Sequence, residues 1–151
     1  MRVRFAFLAD YALAHPTDSK LYVIGGGFDT IWAPAFPARH PQLSVVVRVE
    51  FTPLECGRQH AIELNPIDGD GKPFLPPARL QVTPQKNPQA PTLPAAVALV
   101  LNLTPLDLAK PGDYAFSIVV DGQEVDSIPL HAIQIGPGQL PPPVTPPNLP
   151  G

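Results

Sequence analysis

Residues 110–135 read KPGDYAFSIVVDGQEVDSIPLHAIQI, and this stretch decides the fold. Tyr114, Phe116, Ile118 and Val120 alternate with Ala115, Ser117 and Val119. A period of two places the large side chains on one face of a strand. Asp121-Gly122 supplies the two positive-φ positions of a type I′ turn, whose twist matches that of paired strands. The spacing predicts an antiparallel hairpin, with Val120 opposite Gln123 and Ile118 opposite Val125. Past the turn the phase slips, because Ile128, Leu130 and Ala132 have one parity and Ile133 and Ile135 the other. Pro129 cannot donate to a ladder, so a bulge and irregular pairing are expected beside it.

Upstream, the same alternation recurs. Leu43 to Phe51 is the cleanest case: Leu43, Val45, Val47, Val49 and Phe51 are expected to face inward, and Ser44, Arg48 and Glu50 outward. Gln59 to Leu64, Arg79 to Thr83 and Ala95 to Thr104 read as further strands. Arg2 to Ala12 is the first, with Val3, Phe5, Phe7 and Ala9 on one face. Ala6 and Leu8 are also apolar, so both faces of it are expected to be covered. Lys20 to Ile24 and Phe28 to Trp32 flank Gly25-Gly26-Gly27, a glycine run that marks a bulge, bend or close backbone approach. Residues 33–42 and 84–94 read as proline-punctuated loops, and Thr104 to Ala109 as a single helical turn. Eight or nine strands without intervening helices predict an all-β fold, an antiparallel two-sheet β-sandwich. A closed barrel is the alternative.

Composition fits one domain over residues 1–135. The chain has 151 residues, enough to bury a core without staples. Its 23 prolines are about three times the usual ~5% and leave long helices little room. Residues 136–151 hold seven prolines and no apolar periodicity, so a disordered, proline-rich tail is expected there. Its two P-x-x-P runs, Pro143 to Pro146 and Pro147 to Pro150, are of the kind that dock on aromatic grooves, or form a passive spacer. A net charge of −3 without a basic cluster argues against nucleic acid. The apolar run Phe5 to Ala9 is too short for a secretory signal, and no run approaches a membrane span. A single cysteine, Cys56, excludes an intrachain disulfide. A cytoplasmic, membrane-free protein is the expectation.

Two resemblances add to this. Gly112 precedes Tyr114 by two residues at the start of the late hairpin. That arrangement resembles the tyrosine corner of immunoglobulin-like sandwiches and implies that architecture, without the paired cysteines of antibody domains. FLADYA at 7–12, followed by KLYVIGGGFDTI at 20–31, resembles the opening of a family of small, uncharacterised bacterial proteins. This second resemblance covers about the first third of the chain. It implies a free-standing bacterial domain and carries over no activity and no site residues.

Chemistry-bearing motifs are sparse. Asp68-Gly-Asp-Gly-Lys72 is a fragment of a calcium loop, but Phe74, Pro76 and Pro77 follow where further ligands are needed, and a sharp turn accounts for it. The glycine run lacks the helix N-terminus of a phosphate cradle. His15, His40, His60 and His131 have no metal-ligand spacing, although His60 and His131 could meet in space with an aspartate. Cys56 lacks a base and an oxyanion hole, and no serine lies in a nucleophile elbow. No catalytic, metal or cofactor residues are therefore assigned, and no cofactor is expected. Trp32, Phe36, Tyr11 and Tyr22 are the contact candidates. By elimination the chain reads as a non-catalytic interaction module of unknown protein partner or of itself, as a homo-oligomer. A small-molecule or carbohydrate binder, with Trp32, Tyr11 and Tyr22 as a stacking platform, is the alternative.

Overall fold

A computed structural model describes residues 1–143, 146–148 and 150. Val144, Thr145, Leu149 and Gly151, which complete the two P-x-x-P runs and the tail, lie outside the described residues. The described chain is all-β and forms no helix. In order the strands are β1 (Arg2–Ala14), β2 (Leu21–Phe28), β3 (Thr30–Ala33), β4 (Ala38–His40), β5 (Leu43–Phe51), β6 (His60–Asp68), β7 (Ala78–Val82), β8 (Ala95–Leu103), β9 (Leu106–Leu108), β10 (Gly112–Val120) and β11 (Gln123–Gln134). They build a four-stranded sheet in the order β2-β1-β5-β8, a five-stranded sheet in the order β3-β11-β10-β6-β7, and a two-stranded ladder of β4 with β9. Pairing is antiparallel except between β3 and β11, which run parallel. The extended segment from Leu21 to Ala33 belongs to both main sheets, changing over at Asp29.

One buried cluster draws on both main sheets: Val45, Val47, Val49 and Phe51 from β5, Ile62 and Leu64 from β6, Phe116 and Ile118 from β10, and Ile128 and Leu130 from β11. Each such side chain removed from water contributes about 1.5–3 kcal/mol. β5 matches its predicted bounds, and all five predicted inward residues are fully buried. Ser44 and Val46 on its other face are fully buried too. A second cluster explains this, with Phe5, Phe7, Leu21 and Val100 packed around Ala9, Ala12 and Val46. The Ser44 hydroxyl donates to Asn102 Oδ1 and accepts the Ala12 amide at 3.0 Å, tying β8, β5 and β1 together. On β1 the predicted single face divides. A register shift between Val3 and Phe5 turns Val3 to the main core and Phe5 and Phe7 to the second cluster.

The late hairpin forms, and its turn has the required geometry: Asp121 has φ 50° and Gly122 φ 83°. Val120 pairs with Gln123 as expected, but Ile118 faces Asp126 rather than Val125. The slip lies between Ile118 and Val119, next to the turn, and not at Pro129. Pro129 simply pairs with Ala115. β3 flanks β11 only from His131 onward, so the missing Pro129 amide interrupts no ladder on that side. The helical turn expected over Thr104 to Ala109 is a strand instead. Leu106 and Leu108 are buried and Asp107 is exposed, which is strand alternation. Arg39 of β4, in a segment expected to be a loop, meets Asp107 across that ladder at 2.8 Å. Tyr114 is buried at the start of β10, and its hydroxyl donates to the Lys110 carbonyl at 2.6 Å.

Candidate functional site

β5 pairs with β1 only from Arg2 to Ala9. Beyond Ala9, β1 continues to Ala14 with β2 as its ladder partner. Asp10–Ala14 and Leu21–Ile24 thus form a two-stranded arm beyond the β5 ladder. The arm is still held to the sheet where buried Ala12 donates its amide to the Ser44 hydroxyl and packs in the second cluster. Its tip is well bonded: the His15 amide donates to the Lys20 carbonyl at 2.8 Å, and Asp18 Oδ1 accepts the Lys20 amide at 3.0 Å. Tyr11 pairs with Ile24 and Leu13 with Tyr22, so alternation puts all four side chains on one face. They are 41%, 67%, 45% and 55% exposed, which makes this face an apolar surface in water. Val23 is exposed on the opposite face. The ring of His15 lies 6.4 Å from that of Tyr22. None of the four residues on this face carries a charge.

The base of the arm is set by the glycine run. The β1–β2 register shifts between Leu8 and Ala9, and Gly25 and Gly27 have φ of 64° and 94°. This is the expected bulge. A methyl group on Gly25 would lie 2.1 Å from Asp10 Oδ2, so with φ at 64° a side chain there is strained and must displace the Asp10 carboxylate. A methyl on Gly26 would lie 3.2 Å from the ring of Phe7, which covers that stretch of backbone.

The predicted contact residues do not form one platform. Tyr11 and Tyr22 share the exposed arm face. Trp32 sits in β3 of the other sheet, half-buried and paired with Ile133, while its neighbours Ile31 and Ala33 turn inward. Phe36 packs against the main core. Leu13, Val23 and Ile24 are arm residues that the sequence reading missed. Their alternation was visible, but their exposure depends on the register of β5 against β1, which no local signal gives.

The reactive side chains are held in separate places. His60 is buried, with Nδ1 2.7 Å from Asp121 Oδ2 and Nε2 2.8 Å from the Glu55 carbonyl. His131 Nδ1 lies 2.8 Å from Asp113 Oδ1. Asp113 and Asp121 flank the two ends of β10, so the two histidines do not converge. Hydrogen bonding to Asp121 and to the Glu55 carbonyl raises the His60 pKa above its ordinary value. The same His60 contact and the Ala61 amide lower that of Asp121. Glu55 is pulled down to about 2 by the amino group of Met1, 2.7 Å away, and by Thr52. Asp68 Oδ1 accepts the amides of Asp70 and Lys72, both at 2.9 Å, which closes the aspartate-glycine loop as a turn. Those bonds lower its pKa. Cys56 Sγ donates to the Thr52 carbonyl at 3.4 Å. Ser117, buried, donates to Glu124 at 2.6 Å. Among the described residues no three His, Cys, Asp or Glu side chains are grouped to hold a metal, and no helix is long and apolar enough to cross a membrane.

A protein-family model matches residues 4–133. The chain belongs to DUF6941, a family of unknown function. The DUF6941 match extends well beyond the first third and takes in the arm, both main sheets and nearly all of β11. It stops short of the proline-rich segment from residue 136. No curated protein and no solved structure matches the chain.

Proposed function

We propose that this DUF6941 domain is a non-catalytic interaction module that grips a protein partner through the β1–β2 arm. The observation that carries this reading is the shared exposed face of Tyr11, Leu13, Tyr22 and Ile24. Large exposed apolar patches are uncommon on monomers. Tyrosine suits such a role because it buries a broad ring while its hydroxyl stays satisfied at the rim. The uncharged face and the net charge of −3 favour a protein over nucleic acid or an anionic membrane.

The framework behind the arm is read as an immunoglobulin-like sandwich. Support comes from the core shared by the two main sheets and from the bond between the Tyr114 hydroxyl and the Lys110 carbonyl four residues upstream. In this reading the tail is a spacer, and the domain works in the cytoplasm.

A photo-crosslinking residue tests the arm. Placed at Tyr22 in cells, it is expected to yield a discrete adduct that the Ile24→Ser change abolishes. Placed at Leu54, which is 90% exposed and far along the chain, it should not. Equal labelling from both positions overturns the reading.

A further inference from the structure

We infer that the β8 edge joins a second copy of this chain, strand to antiparallel strand, into a two-fold dimer with one continuous eight-stranded sheet. β8 is the outer strand of the four-stranded sheet. Among the described residues its backbone is bonded only to β5. Its nine residues, Ala95–Leu103, contain no charge, proline or glycine. The β5–β8 register is unbroken along its length. Exposed edges are normally blunted by charge, proline, bulges or shortness, because they template further pairing. The other three outer strands show such devices. β2 carries the glycine bulge, β3 has four residues, and β7 has five with Arg79 among them.

Burial across the β5–β8 ladder points the same way. Val45, Val47 and Val49 are fully buried on β5. Their partners Leu101, Leu99 and Val97 pack against the same core yet stay partly exposed, because nothing flanks them outside. Leu99, Val100 and Leu101, with Ile62, Leu64, Ala78, Leu80 and Arg79, line a largely apolar cleft open to solvent between β8 and β7.

The occupant is argued from self-complementarity and area. A two-fold axis at Leu99 would set Val97 opposite the second copy's position 101, Ala98 opposite 100 and Ala96 opposite 102. Along β8 no charge meets a like charge, Arg79 on β7 is paired with Glu63 at 3.4 Å, and the closed symmetry suits an isologous joint. The strand is about 30 Å long, and with β7 across the cleft the edge is roughly 20 Å deep for sheets stacked about 10 Å apart. That gives on the order of 600 Å² per copy, close to what a stable small interface needs. The depth rests on the sandwich reading above; the pairing of β8 does not.

Light scattering coupled to size exclusion, run up to roughly 100 µM, tests this. The expected result is a dimer, with amides of residues 95–103 gaining hydrogen-exchange protection as concentration rises. Ala98→Lys with Val100→Lys should weaken it by about 100-fold or more through like-charge repulsion at the joint. Ala98→Glu is the second variant. It faces Arg48 across the ladder, so folding is supported while the joint is charged. A monomer at every concentration, or a dimer indifferent to both changes, overturns the inference. A dimer lost on Ile24→Ser but kept in both edge variants also overturns it, and leaves the arm reading standing.

Discussion

His60 holds Asp121 at 2.7 Å while its other ring nitrogen meets the Glu55 carbonyl at 2.8 Å. An ionised carboxylate and a carbonyl can only accept, so the protonated imidazole, with two N–H donors, is the form that makes both contacts at once. The cation lies against Phe51, whose ring centroid is 4.6 Å away, which gives it a favourable aromatic face in a buried place. Asp121 also accepts the Ala61 amide at 2.9 Å, so one turn residue clamps the late hairpin to the start of β6.

This contact makes stability depend on pH. The His60 pKa is raised, so its contribution is complete below the ordinary histidine value and is lost as pH rises through the folded value. The Asp121 pKa is lowered, so its contribution is complete above the ordinary aspartate value and is lost as pH falls through the folded one. Urea unfolding is expected to give its highest free energy in the window between them and to decline on the alkaline side. Asp121→Asn keeps the turn and should flatten the alkaline decline at a cost of about 1–2 kcal/mol. An unchanged slope in that variant would refute the assignment.

Removing the ring itself is more costly. His60→Ala leaves a cavity beside Phe51 and strips Asp121 of its partner. A loss of about 2–4 kcal/mol is expected from chemical denaturation.

Gly25→Ala should destabilise the arm by roughly 1–3 kcal/mol, since φ is 64° and the new methyl meets the Asp10 carboxylate. Adding Asp10→Ala should recover part of the loss, as it removes the nearest atoms and not the backbone strain. Thermal melts of the two variants separate these contributions.

Tyr114→Phe deletes only the hydroxyl that reaches Lys110. A loss near 1 kcal/mol is expected, with the fold unchanged by circular dichroism.

Tyr22→Ser with Ile24→Ser changes two exposed positions. Unfolding free energy is expected to move by no more than about 0.5 kcal/mol per change, while adduct formation from a crosslinker at Tyr11 disappears. A folding defect instead would mean that the arm face supports the domain rather than contacting a partner.

Local alternation carried the strand assignments a long way. β5 was legible to the residue because its two neighbours protect it and every second position is large and apolar. The Asp121-Gly122 turn was legible because its chemistry is contained in two residues. Faces were lost wherever a bulge intervened, at Val3/Phe5 and beside the hairpin turn, since one extra residue inverts everything after it. β4 and β9 were missed because three-residue strands give too short a period to distinguish from loop. The His60–Asp121 clamp joins residues 61 positions apart, and the arm's exposure is set by the register of β5 against β1. Neither has a local signature.

The flanking of β11 bears on mechanics. Its last four strand residues lie between β3 on one side and, as far as Ala132, β10 on the other, and the chain leaves directly from there toward residue 136. Ladder bonds stand across the strand direction. Tension drawn along the exit of β11 would load the rungs on both sides together in shear, instead of unzipping them singly. Freeing β11 from that end therefore requires several rungs to break at once.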